Sequence, residues 1–140
     1  MERFMAFDLG EKRIGIAVSD PFNTYALPVE TYHRKNLKTD IDALLKIVKE
    51  KRITTIVCGL PVNFDGSESI QTQRAQYFID RLKEATDVPV LTADERCTTM
   101  QAHEVLISED YSREKRKKYV DTLAATYILD GFLGSLKNKK

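Results

Sequence analysis

The sequence predicts an α/β protein in which a mixed sheet carries helices on its faces. Three observations support this. Apolar residues run continuously or alternate in three short segments near the start, Arg3–Leu9, Arg13–Ser19 and Ala26–Tyr32. From Leu37 onward the apolar spacing becomes helical, interrupted by two strand-like runs, Ile53–Cys58 and Val88–Thr92. The resulting order, β-β-β-α-β-α-β-α-α, joins an antiparallel meander to alternating β and α segments, and that combination implies a mixed sheet.

Each element follows from local pattern. Phe4-Met5-Ala6-Phe7 is a buried-strand run stopped by Gly10. In Arg13–Ser19 the residues Ile14, Ile16 and Val18 share one face, while Gly15, Ala17 and Ser19 leave the other face small enough for close packing. The link Gly10-Glu11-Lys12 is short enough for a hairpin, and Asp20-Pro21 turns the chain into the third strand. Leu37, Ile41, Leu44, Leu45 and Val48 define the first helix, with Thr39 as its expected N-cap. The fourth strand should end at Gly59, followed by a polar loop, Gly59–Ser69, of 11 residues. Ala75, Phe78, Ile79 and Leu82 mark the core face of a helix over Ile70–Ala85. Thr98 and Gln101 form a capping box that opens a helix to about Ile107. Ser108–Ser112 is a polar break. Val120, Leu123, Ala124, Tyr127, Ile128 and Gly131 then form a helical stripe, and the basic tail 137–140 should fray.

Composition bounds the function. The 140 residues suit a single domain, with 22 Lys+Arg against 21 Asp+Glu and a net charge of +1. This balance argues against a polybasic binder but leaves local basic patches open. No apolar run is long enough to span a bilayer, and Asp8 comes too early for a signal peptide, so a soluble cytoplasmic protein without membrane association is expected. Two cysteines, Cys58 and Cys97, lie far apart and read as free thiols of a reducing compartment. With only His33 and His103 present, a His-rich zinc site or a Ser-His-Asp triad has little support.

Three carboxylates stand where apolar or neutral residues would be simpler. Asp8 ends an apolar strand, and burial there demands a partner; the simpler reading is a turn acid before Gly10. Asp94-Glu95-Arg96 follows the strand ending at Leu91-Thr92, where a solvated loop with an internal ion pair is the alternative. Asp121 shares a helix side with Ala124, Ala125 and Ile128, although an ordinary pair with Lys117 would also fit. Brought together at one end of a sheet, three carboxylates repel unless a cation intervenes. All-oxygen ligands favour Mg²⁺ or Mn²⁺ over zinc, and such ions serve phosphodiester cleavage. The run Arg113–Lys118 carries five positive charges and one negative just before Asp121, which suits a polyanion. Tyr111 and Tyr119 could stack on bases. The loop Gly59–Gly66, with Asn63, should rim the same site, since ligands gather at the carboxyl ends of parallel strands.

Four motifs in order make the chain resemble a known family. They are Phe7-Asp8-Leu9-Gly10 with Arg13–Asp20; Gly59-Leu60-Pro61 with Gly66; Asp94-Glu95-Arg96 with Thr98-Thr99; and Arg116-Lys117-Lys118 with Asp121, Ala124 and Ala125. Over essentially its whole length the sequence resembles the YqgF/RuvX family of the RNase H-like superfamily, relatives of the RuvC Holliday-junction resolvases. The resemblance implies a five-stranded mixed sheet in order 3-2-1-4-5, flanked by helices. It implies that Asp8, Glu95 and Asp121 are the catalytic, metal-binding acids, with Asp94 the alternative to Glu95. Cys97 departs from the family, where leucine is common.

The activity so implied is a divalent-metal-dependent nuclease acting on structured RNA, in 5′-end maturation of 16S ribosomal RNA, with ribosomal particles as possible partners. Arg96, Arg116, Lys117, Lys118 and Asn63 would contact the nucleic acid. The first alternative is a Holliday-junction resolvase, whose paired cuts favour a dimer; the sequence has no clear dimer stripe, and a monomer or weak dimer is expected. A sugar-kinase or actin type ATPase would need two related domains, and Glu11 stands where a hydroxyl would better suit a phosphate. A binding module without catalysis is the remaining alternative.

Overall fold

The protein is described from a computed structural model that covers residues 2–60, 70–94 and 123–134. Strands β1 (Phe4–Leu9), β2 (Arg13–Ser19) and β3 (Ala26–His33) form the meander. Helix α1 (Leu37–Glu50), strand β4 (Thr55–Leu60), helix α2 (Ile70–Ala85) and strand β5 (Val90–Asp94) follow. A further helix, α3, spans 123–134. The sheet order is β3-β2-β1-β4-β5, as the family resemblance implies. β1 pairs antiparallel with β2 and parallel with β4, and β4 pairs parallel with β5. The expected helix at 98–107, the break at 108–112 and the tail at 137–140 lie outside the described residues.

Alternation along β1 sorts the core into two layers. Met5, Phe7 and Leu9 pack with Ile14, Ile16 and Val18, and α1 and α2 cover that face with Ile41, Leu44, Val48, Phe78, Ile79 and Leu82. Phe4 and Ala6 point the other way, with Ala17 and Val57, beneath Ala125, Ile128, Leu129 and Leu133 of α3. The small face of β2 does admit a close neighbour, and that neighbour is α3. No described helix is long and apolar enough to cross a membrane.

Several element boundaries differ from the sequence reading, and those of α1, β4 and β5 differ the most. Asn36, not Thr39, caps α1: its side-chain oxygen accepts the Thr39 N–H at 2.9 Å, so Thr39 already lies in the first turn. β4 begins at Thr55 because Ile53 N–H is bonded back to the carbonyl of Val48, closing α1 through Arg52 at φ 55°. The same strand continues through Gly59 to Leu60, because both have partners on β5. β5 starts after Pro89, which has no N–H to give but accepts the Ile56 N–H through its carbonyl at 2.9 Å. It then runs to Asp94 rather than stopping at Thr92.

Buried polar groups hold the turns. Asp20 accepts the N–H groups of Phe22 (3.1 Å), Thr24 (2.5 Å) and Tyr25 (2.9 Å), which fixes the β2–β3 connection. Burial alone would raise its pKa, and these N–H donors more than offset that, leaving it below the ordinary aspartate value. Cys58 is a buried free thiol in β4, and burial pushes its pKa up to about 12 despite the opposing charge of Lys83.

Candidate active site

Asp8 is the second-last residue of the central strand and is almost wholly buried. The register shows why an acid is tolerated there. Its antiparallel partner on β2 is Gly15, and its parallel partner on β4 is Gly59. Neither neighbour has a side chain, so space opens beside the carboxylate on the sheet face. Gly59 pairs in turn with Ala93, so the row from Asp8 to β5 holds only small residues. That row is two strand spacings long, roughly 10 Å. Asp94, paired with Leu60, comes next on β5 and closes that strand.

By alternation Asp8 lies on the face of Phe4 and Ala6, the face that α3 covers. The carboxyl-terminal part of α3 is anchored at the opposite end of β1. Phe132 meets Phe4 edge to face at 5.4 Å, and the Asp130 carboxylate accepts the Ala26 N–H at 2.7 Å. Ala26 pairs with Ser19, whose hydroxyl accepts the Phe4 N–H at 3.0 Å. α3 therefore runs back over the sheet, with its amino-terminal end towards the edge where Asp8 stands. The lengths agree: four residues of strand span roughly 13 Å, and the eight residues from Phe132 back to Ala124 span roughly 12 Å of helix. Ala124 and Ala125 are fully buried, and their small side chains permit that approach.

On its other side, Asp8 lines a cleft of about 1040 Å³ between the β1–β2 turn, the β3–α1 connection and α2. Its floor is a buried polar strut that the sequence reading missed. Asp40 is 1% exposed and accepts from the Tyr32 hydroxyl (2.9 Å), the Lys35 N–H (2.8 Å) and Arg34 Nε (3.2 Å). Arg34 also donates to the Gly10 carbonyl at 3.0 Å and lies over the Phe78 ring at 4.9 Å. Burial, with the nearby Asp40 carboxylate, raises the Tyr32 pKa. The sequence offers only a basic pair, Arg34-Lys35, ahead of a helix with Asp40 in its first turn, and that pattern does not mark Asp40 as buried.

Of the acids and contacts expected from the sequence, the structure places Asp8 in this setting and the backbone of Asp94 at the end of β5. Glu95, Asp121, Asn63, Arg96, Arg116, Lys117 and Lys118 lie outside the described residues, as do Tyr111, Tyr119 and Cys97. Among the described residues no group of three His, Cys, Asp or Glu is placed to hold a metal ion. Glu11 forms an exposed ion pair with Arg74 at 3.1 Å.

A family profile described as "RuvX: Holliday junction resolvase" matches residues 2–135. The chain belongs to the RuvX family. A relative from Clostridium novyi (strain NT), named "Putative pre-16S rRNA nuclease", is 44% identical over 134 residues, covering 96% of this chain and 99% of the relative. Among solved structures, Thermus thermophilus RuvC in complex with a Holliday junction substrate aligns with a TM-score of 0.62 at 13% identity, covering 99% of this chain and 97% of that one. The Fowlpox virus resolvase in complex with Holliday junction DNA aligns with a TM-score of 0.60 at 14% identity, covering 96% and 98%. At such low identity these two likenesses establish the fold, which is RNase H-like, and this RuvX family member shares its five-stranded frame.

Proposed function

We propose that this RuvX family member is a divalent-metal-dependent nuclease that hydrolyses phosphodiester bonds in structured RNA, with precursor 16S rRNA as substrate. The observation that carries the proposal is Asp8: a buried carboxylate at the carboxyl end of the central strand, flanked by two glycines, on the face that α3 covers. The pre-16S rRNA nuclease name of the 44% identical relative favours RNA over a DNA junction.

Asp8, Glu95 and Asp121 form the proposed acid set, with Asp94 the alternative to Glu95. Chain connectivity supports it. Glu95 directly follows the last residue of β5, one strand beyond the β4 neighbour of Asp8. Asp121 precedes α3 by two residues, a reach of at most about 7 Å from the end of the helix that faces Asp8. The glycine row fits an ion, because a side chain at position 15 or 59 would stand beside the carboxylate. Asp8, Glu95 and Asp121 would hold Mg²⁺ or Mn²⁺, which would supply activation of the attacking water and charge stabilisation at the leaving oxygen. Asp8 orients its ligand oxygens from a rigid strand, while Arg96, Arg116, Lys117, Lys118 and Asn63 position the sugar–phosphate backbone.

The test is cleavage of two labelled substrates, a precursor 16S 5′ segment and a four-way DNA junction, with Mn²⁺, Mg²⁺ or chelator. Metal-dependent cutting of the RNA is expected. Cutting of the junction alone would overturn the substrate and favour a resolvase.

A further inference from the structure

We propose that the cleft beside Asp8 is a second grip on the nucleic-acid strand, in which Lys12 and Lys35 hold backbone phosphates away from the cut. The inference rests on the nuclease reading for its ligand class, but it concerns residues outside the acid set and outside the Arg113–Lys118 run.

The cleft's charges differ in how far they are already engaged. Arg34 is spoken for: it bonds the buried Asp40 and the Gly10 carbonyl and packs over Phe78. Arg74 pairs with Glu11, but both are 64% exposed, so a phosphate can displace that partner at little cost. Lys12 and Lys35 are exposed, line the same cleft, and have no ion pair among the described residues. Two exposed cations in a concave surface next to a proposed cleavage centre concentrate positive potential along one path.

The two lysines are also held in register by the strut. Arg34 N–H donates to the Lys12 carbonyl at 2.9 Å, and the Lys35 N–H donates to Asp40 at 2.8 Å. Arg34 thus ties the β3–α1 connection to the β1–β2 turn through its N–H to Lys12 and its guanidinium to the Gly10 carbonyl, while the Asp40 carboxylate fixes Arg34 and the Lys35 backbone. A polyanion meeting this cleft finds its cationic anchors already positioned, and binding orders only the lysine side chains. Lysine as a point charge suits phosphate contact without base readout, so RNA and DNA strands of one sequence should bind through the same two residues.

The test is fluorescence anisotropy of labelled single-stranded RNA and DNA oligonucleotides of one sequence, in chelator, across a salt titration. The protein is the full chain carrying Lys12→Gln and Lys35→Gln. A second full chain carries Lys49→Gln and Lys83→Gln, the same charge change in the last turns of α1 and α2. Each phosphate contact on a single strand contributes about 0.7 to the slope of log K against log salt, so the cleft variant should lose about 1.4. If the two proteins bind alike at 1 M salt, that slope makes the variant about 25-fold weaker at 0.1 M. The control pair should keep the wild-type slope. Equal losses in the RNA and DNA arms support the phosphate grip, and a loss in the RNA arm alone overturns it, because backbone phosphates are common to both strands. An unchanged slope in the cleft variant, or an equal fall in the control pair, overturns the grip. Cleavage by the same proteins separates the two readings. A wild type that cuts RNA while the cleft variant keeps its KM and slope sinks the grip alone. A wild type that binds through the lysines but never cuts sinks the nuclease reading alone.

Discussion

Replacing Asp40 by alanine should destabilise the protein by about 3 kcal/mol, because it strands a buried network. The carboxylate is 1% exposed and takes three donors at 2.8–3.2 Å, from Tyr32, Lys35 and Arg34. Removing one partner of a fully buried ion pair costs about 3–5 kcal/mol. Arg34 keeps 25% of its side chain in water and retains the Gly10 carbonyl and the Phe78 ring, which lowers the figure to about 2–4 kcal/mol. An unfolding entropy of about 2.1 cal/mol/K per residue over 140 residues gives about 0.3 kcal/mol/K, so 3 kcal/mol lowers Tm by about 10 °C. Asp40→Asn keeps one acceptor oxygen for Tyr32 and Lys35 and should lose about half as much. Urea unfolding of both variants gives the comparison, with unchanged slopes securing a common unfolded state. An Asp40→Ala protein within about 0.5 kcal/mol of wild type, the range of ordinary surface changes, would refute the strut.

Three further outcomes follow from the structure. Gly10→Ala places a Cβ 2.5 Å from the Arg13 carbonyl oxygen, so the β1–β2 turn must shift; urea unfolding should show a loss of about 1–3 kcal/mol. In a Cys97→Ser background, Cys58 should ignore a thiol-reactive dye at pH 8 and react fully in denaturant, because its pKa of about 12 and its burial leave almost no accessible thiolate; fast native labelling would contradict that burial. Asp20 has a folded pKa below its ordinary 3.8, so its contribution is present in full above that value and is lost as pH falls through the folded pKa. Asp20→Asn should therefore flatten stability against pH in the acid limb below pH 3.8 and leave the shape at neutral pH unchanged, as followed by thermal unfolding at stepped pH.

The frame was legible because its signals are periodic. Ile14, Ile16 and Val18 alternate in β2, and Ala75, Phe78, Ile79 and Leu82 mark α2, so these two elements fall where their patterns put them. Boundaries set by single hydrogen bonds were not legible. Nothing in the apolar pattern tells that Ile53 is bound back to Val48, or that Gly59 has a partner on each side and so continues a strand instead of ending it. At the candidate site, the oddity of Asp8 after an apolar run was visible. Its two glycine neighbours were not, because Gly15 and Gly59 reach it only through sheet register. The Asp40 strut was hidden for the same kind of reason. Its donors come from β3 and the connection after it, and an acid in a helix's first turn reads as an ordinary favourable charge.

The central claim is that Asp8 is a catalytic ligand and not a turn acid, and one measurement addresses it most directly. Asp8→Asn preserves size and hydrogen-bonding shape but removes the charge. Cleavage of the precursor RNA segment in Mn²⁺ should fall at least about 100-fold, the scale of losing a stabilising group at a reaction centre, while circular dichroism and the urea midpoint stay close to wild type. An Asp8→Asn protein that cuts at the wild-type rate in the presence of metal would contradict the account.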